Sequence, residues 1–345
     1  MHDPAPTLTT RTGLLDPPRE RTAEVMRGFL LFSVAYFIVA LAAATVLLPQ
    51  KVAGLIAITG TAMALWNLGK SFIVGISAGM VVLLLAVKAR TLMNRLPAMA
   101  MALLGALFLQ SGFTMLKNSL SYIAPYFADP FLAGLDRALH FGIDPWVLAH
   151  RIGEYLPTDF LIRSYTTIWS FPALALPVII AATDSDRERA LRTIILFAAS
   201  WILLGNVLAL AGLSVGPVFY DRLLNETRFD ELTAALQASG ITDSRIGQTQ
   251  QSLWEIYATG SAKLGAGISA FPSVHVGTAT VTAIYMTERS RWLMPLAAVF
   301  LLFILFFSVY SGYHYAIDGY ASIIVIFALW WAMKKKGLRR RPSLS

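Results

Sequence analysis

Apolar residues fall along this chain in long runs, and the charges collect in the short stretches between them. A helix rises about 1.5 Å per residue, so about 20 apolar residues cross the hydrocarbon core of a bilayer. Eight runs meet or approach that length: residues 27–48, 71–89, 97–117, 158–182, 190–212, 271–287, 292–311 and 313–333. The pattern predicts an all-α, polytopic transmembrane helical bundle. A further run, Val52–Asn67, is short and contains Gly54, Gly60 and several threonines. Residues 1–26 carry Arg11, Asp16, Arg19, Glu20, Arg21 and Glu24 among prolines and threonines, which predicts a polar, disordered N-terminus. The first apolar run is too long for a signal-peptide core and lacks a small-residue cleavage pattern, so it is expected to stay as an anchor.

The charges orient these spans. Net charge is +8, but the cations sit at the ends of apolar runs, and a nucleic-acid partner is rejected on that ground. Arg90 and Arg95 share one short loop. Arg187, Arg189 and Arg192 lie in or beside a second, and Arg289 and Arg291 in a third. Lys334, Lys335, Lys336, Arg339, Arg340 and Arg341 follow the last run directly. Such flanks are cytoplasmic under the positive-inside rule. If all three loops and both termini are cytoplasmic, the number of spans is even. Eight satisfies every loop, whereas a full crossing by Val52–Asn67 would put Arg90 and Arg95 outside. That segment is therefore expected to be re-entrant or interfacial. The expected location is an inner (plasma) membrane. Cysteine is absent, which excludes disulfides, thiolate metal sites and a cysteine nucleophile.

Two sizeable loops then face outward, Asn118–Pro157 and Leu213–Ser269. The first carries an interfacial amphipathic piece over Asp136–Trp146 with a turn at Asp144-Pro145. The second carries a turn at Gly216-Pro217, a polar and helical middle, and the flexible stretch Gly265-Ala266-Gly267.

Two polar clusters stand at the outer starts of spans: Pro272-Ser273-Val274-His275, and His314-Tyr315-Ala316-Ile317-Asp318. Ionisable groups at the edge of a membrane helix are costly to keep and read as functional. His314 and Asp318 are about one turn apart and share a helix face. Together the three groups suffice for phosphoryl transfer through a phosphohistidine. Asp318 orients the His314 ring through Nδ1, Nε2 attacks phosphorus, and His275 protonates the departing oxygen. Ser273 and the free N–H groups of the following helix start suit phosphate oxygens. This chemistry needs no metal or cofactor, and two histidines with one aspartate make a poor magnesium site.

At these residues the chain resembles the type 2 phosphatidic acid phosphatase superfamily, whose second motif is PSGH and whose third is SR-x5-H-x3-D. The resemblance implies a six-helix catalytic core, mapped here onto residues 97–333. Residues 27–90 would then be accessory helices and 334–345 a basic cytoplasmic tail. It implies a lipid phosphate or phospholipid substrate and membrane lipids as surroundings; oligomeric state stays open. The family's first motif, KxxxxxxRP, is absent, and the third-motif arginine falls at Ser308. Ser308-Val309-Tyr310-Ser311-Gly312-Tyr313-His314-Tyr315 fits better the branch of inositol phosphorylceramide synthase, an inositolphosphotransferase. Other cations must then hold the phosphate: Arg222 and Lys263 first, Arg163 and Arg228 after them. Tyr310, Tyr313, Tyr315 and Tyr320 read as an interfacial belt, and His140 and Asp144 as structural. A transporter or flippase using His and Asp as a proton relay is the rival reading.

Overall fold

The computed structural model describes residues 18–48, 89–259 and 267–339, and among these all regular structure is helical. The chain is a polytopic helical bundle. Helix α1 spans Pro18–Leu47 and α2 spans Ala89–Ile123. Short helices α3 (Asp129–Leu139) and α4 (Pro145–Gly153) follow. Then come α5 (Thr158–Thr183) and α6 (Arg187–Ala211), whose stretch Ser200–Leu208 is π-helical. Three more short helices, α7 (Pro217–Leu224), α8 (Asp230–Ala238) and α9 (Arg245–Ala258), precede α10 (Val274–Arg289), α11 (Met294–Tyr310) and α12 (Ala316–Arg339). Six described helices, α1, α2, α5, α6, α11 and α12, are long and apolar enough to cross a membrane.

Helix α10 has only 16 residues, about 24 Å, and is enclosed by its neighbours. Its composition allows this. Gly277 lets Leu204 approach so closely that a Cβ there would meet it at 2.4 Å. Thr280 and Thr282 are buried, and their hydroxyls donate back to Val276 and Thr278 carbonyls at 2.7 and 2.8 Å. These two hydroxyls are thus satisfied within the helix despite their burial.

The basic residues meet at one end of the bundle. Arg95 donates to the Ala182 and Asp184 carbonyls, both at 3.0 Å. Arg189 grips the Asp184 carboxylate through Nη2 and Nε at 2.6 and 2.8 Å. Arg192 pairs with Glu288 at 2.8 Å, and Glu288 also accepts from the Trp330 indole at 2.8 Å. Arg95 and Arg90 were expected in a loop, yet both lie on α2. The carbonyls at the end of α5 and the Asp184 carbonyl beyond it give Arg95 partners without interrupting the helix.

The N-terminal expectation also changes. Helix α1 begins at Pro18, and Thr22, Val25, Met26 and Phe29 are all buried. Their spacing of three, four and seven is that of one helix face. Residues 1–17 lie outside the described residues, as do Val52–Asn67 and nearly all of the expected span 71–89. Gly105 packs against Phe29, Gly112 against Tyr36, and Met115 clusters with Ala44 and Leu48. Numbers rise together along the two helices, so α1 and α2 run parallel. The described chain leaves α1 at one end of the bundle and resumes at the other.

Helices α3, α4 and α7–α9 cap the end opposite the basic residues. Helix α3 is inverted for a water-soluble helix: Asp129 and Asp136 face inward while Phe131, Leu135 and Leu139 are exposed. That is the polarity of a piece lying at a bilayer surface. The cap covers the tyrosines. Tyr310 and Tyr315 are 1% and 2% exposed, so they are core residues and not a belt, and of the four only Tyr320 is exposed.

Candidate active site

Ser273 ends the loop before α10 with an extended backbone, and its Oγ accepts the Val276 N–H at 3.3 Å, capping the helix. This cap aims His275 from the first turn. His314 stands just before α12, and Asp318 lies in its first turn. The two helix starts are fastened together. Ser273 N–H donates to the Asp318 carbonyl at 3.1 Å. Ser322 Oγ donates to the Ser273 and Asp318 carbonyls at 2.8 and 2.9 Å.

The result brings His275, His314, Asp318 and Ser273 to one place. The two imidazole centroids are 6.0 Å apart. Nδ1 of His314 is 3.2 Å from Asp318 Oδ2, which also accepts the Tyr315 N–H at 3.0 Å. Asp318 is wholly buried. Nε2 of His314 faces the Ser273 hydroxyl at 3.3 Å. The His275 ring lies against Trp169 and Tyr165, with centroids 4.0 and 5.6 Å away. Trp169 Nε1 also donates to the His275 carbonyl at 3.2 Å, so the indole grips both ring and backbone.

Both histidines open onto a cavity of about 370 Å³. Its wall is mostly apolar and aromatic, including Phe113, Trp169, Trp201 and Phe219, and the π-helical stretch contributes Trp201 and Gly205. π-helical turns recur at functional sites because they re-aim side chains. Among the described lining residues one is a lysine or arginine: Lys117, from the C-terminal part of α2. Sequence reading passed over it, since it stands at the last position of an expected span while cations were sought in the outer loops. The signal available was a lysine at the end of an apolar run, away from the clustered basic residues.

The cations proposed from sequence are elsewhere. Arg222 lies one turn beyond Val218, on the face of α7 turned to α9. It donates to Gln251 at 3.0 Å, lies over Trp254, and lines a separate cavity with Asp221 and Glu255. Arg228 is structural: it donates to the Ala133 carbonyl at 2.8 Å and Asp144 at 3.4 Å, over the Phe229 ring. Arg163 is exposed on α5 and does not line the cavity. Lys263 lies outside the described residues. His140 bonds the Asp136 carbonyl and the Tyr320 hydroxyl at 2.6 and 3.0 Å, a structural place like that of Asp144.

Two acids on α3, absent from the sequence reading as functional groups, hold the site loops. Asp136 accepts from Ala316 and Ile317 N–H at 3.2 and 3.0 Å, supplying partners to the free start of α12. Asp129 accepts from Val215 and Gly216 N–H at 2.8 and 3.0 Å and from the Tyr315 hydroxyl at 3.0 Å. Burial raises both carboxyls above the ordinary range, opposed by those hydrogen bonds. Gly216 has φ +83°, and a Cβ there would meet the Tyr313 carbonyl at 2.3 Å, so glycine is required for this loop to reach the His314 segment.

The family model described as the PAP2 superfamily matches residues 130–332, more than half of the chain. No curated protein and no solved structure gives a significant match.

Proposed function

The chain belongs to the PAP2 superfamily, and from that premise we propose that it is an integral-membrane phosphotransferase acting on lipid phosphate esters through a phosphohistidine. The observation that carries this reading is two imidazoles from two helix starts facing one cavity, one of them backed by a buried carboxylate on its far nitrogen.

In the first step Nε2 of His314 attacks phosphorus as the bond to the leaving oxygen breaks. Asp318 accepts the Nδ1–H and balances the positive charge that grows on the ring. Protonated His275 gives its proton to the leaving oxygen. In the second step an acceptor hydroxyl attacks the phosphohistidine and passes its proton to His275, and His314 leaves neutral. Ser273 Oγ, now on Nε2, is placed to turn to a phosphate oxygen while still capping α10. Water as acceptor makes the enzyme a phosphatase, and a lipid hydroxyl makes it a headgroup transferase.

The finer reading is the second, of the inositolphosphotransferase type. A mostly apolar cavity suits alkyl chains and a lipid hydroxyl. One lining cation among the described residues matches a phosphodiester with a single negative charge better than a monoester with two. The site faces outward, and both termini are cytoplasmic.

The test is turnover by purified protein in mixed micelles of phosphatidic acid, phosphatidylinositol and ceramide, resolved by product mass. Wild type is expected to yield a new phosphosphingolipid, and His314→Ala to yield none while staying folded. Near-normal turnover by His314→Ala would sink the covalent mechanism. Free phosphate as the sole product would replace the transferase reading with the phosphatase one.

A further inference from the structure

A second cavity, of about 510 Å³, lies in the cap between α7, α8 and α9. Helix α9 stands between it and the catalytic cavity. Ile246, Thr249 and Leu253 line the catalytic side, while Gln248, Gln251 and Glu255 line the other. Each set recurs every three or four residues, so the helix offers one face to each cavity.

The two cavities differ in chemistry. The catalytic one is mostly apolar and aromatic, whereas the second joins Pro217, Val218, Phe219 and Leu236 to a majority of polar side chains. Three of these form a chain. Arg222 Nη1 donates to Gln251 Oε1 at 3.0 Å, and Gln251 Nε2 donates to Glu255 Oε1 at 2.8 Å. Each keeps spare capacity, because a guanidinium carries several N–H donors, an amide two, and a carboxylate two acceptor oxygens. Thr242, Gln248 and Ser252 add groups that both donate and accept.

Charge narrows the ligand. Among the described lining residues two carboxylates, Asp221 and Glu255, stand against one guanidinium, Arg222. That balance disfavours an anion such as phosphate. A small cation would use the carboxylates but leave the guanidinium and amide donors idle. A neutral polyol uses both kinds of group, since every hydroxyl donates and accepts, and its C–H face suits the apolar residues. The cavity is also tied to the catalytic segment. Val218 N–H donates to the Gly312 carbonyl at 3.0 Å, and Gln250 Nε2 donates to the Ser311 carbonyl at 2.8 Å. Those carbonyls come two and three residues before His314, so a ligand held here rests on residues that place it.

We propose that this cavity binds a neutral polyhydroxylated ligand, a cyclic polyol or sugar, free or as the headgroup of a lipid. The site is separate from the one that carries phosphoryl transfer, and its test needs no turnover. Phe219 stacks on Trp254 with centroids 5.9 Å apart, and Arg222 lies 5.8 Å from the same indole, so Trp254 reports on occupancy.

Myo-inositol is titrated into the full-length protein in a detergent without a sugar headgroup, and fluorescence is followed. Wild type is expected to give a saturable change that Trp254→Phe loses. Gln251→Leu, at an exposed position, is expected to weaken binding by about tenfold or more. Glu255→Gln keeps an acceptor for Gln251 and is expected to stay within a few-fold of wild type. If Gln251→Leu does not purify folded, Gln248→Leu carries the same expectation. Equal affinity in wild type and the leucine variant would overturn the assignment. So would no saturable response in wild type, a response retained by Trp254→Phe, or an equal or tighter response to ethanolamine or inorganic phosphate. Glucosyl diacylglycerol binding more tightly than glucose assigns the ligand to the membrane, and equal affinities assign it to solution; either keeps the site.

Discussion

At the scale of single residues, the proposed reaction depends on which nitrogen of His314 is free. Asp318 faces Nδ1 from a fully buried position, so the ring keeps its proton there and presents a lone pair at Nε2. Asp318→Asn offers an amide N–H to the same nitrogen and reverses the tautomer. Turnover is expected to fall by about two to four orders of magnitude with the fold intact, read as kcat beside an unfolding curve. Activity within a few-fold of wild type would mean that the carboxylate does not set the tautomer. These residues were legible because each cluster is a short local string on one helix start. The cations were not. Arg222 belongs to a loop whose path depends on how α7 packs on α9. Lys117 reaches the site only through the packing of α2 beside the Gly267 segment.

Among the elements, α3 does for α12 what a capping side chain does within one helix. Its Asp136 carboxylate takes the Ala316 and Ile317 N–H groups that α12 cannot satisfy itself. Asp136→Ala leaves both donors unpaired in a buried place. A loss of about 1–2 kcal/mol is expected, seen as a lower midpoint of thermal unfolding in detergent. Asp136→Asn, with one acceptor oxygen, is expected to lie between the two. An unchanged midpoint for the alanine variant would show that the clamp contributes nothing. Span positions could be read from apolar runs to within a few residues for α5, α10 and α11. The start of α1 and both ends of α2 could not; at α1, Thr22, Val25 and Met26 look polar or isolated until the helix has a neighbour to face. The cap helices were legible as two long stretches between spans, but their inverted polarity needs the bilayer and the site on opposite sides of α3.

Over the whole molecule, the charges divide the bundle. Arg95, Arg189, Arg192, Arg289 and Lys334 gather at the end remote from the histidines. With that end cytoplasmic, the cap helices stand outside. Because the chain has no cysteine, one introduced thiol reports without background. Gln237→Cys on α8 is expected to react with a membrane-impermeant maleimide on intact cells, and Arg291→Cys only after permeabilisation; the reverse pattern would invert the proposed orientation. The parallel pairing of α1 with α2 was not readable from the sequence, since no local pattern in either helix names its neighbour. The fastenings at both ends of the bundle have a mechanical consequence. At the basic end, guanidinium and indole bonds tie α2, α5, α6, α10 and α12. At the other end α2, α5, α6 and α10 line the cavity, and the starts of α10 and α12 are tied through Ser273, Asp318 and Ser322. A bundle tied at both ends gives the cavity between them a fixed outline, so a ligand has to match that outline rather than open it.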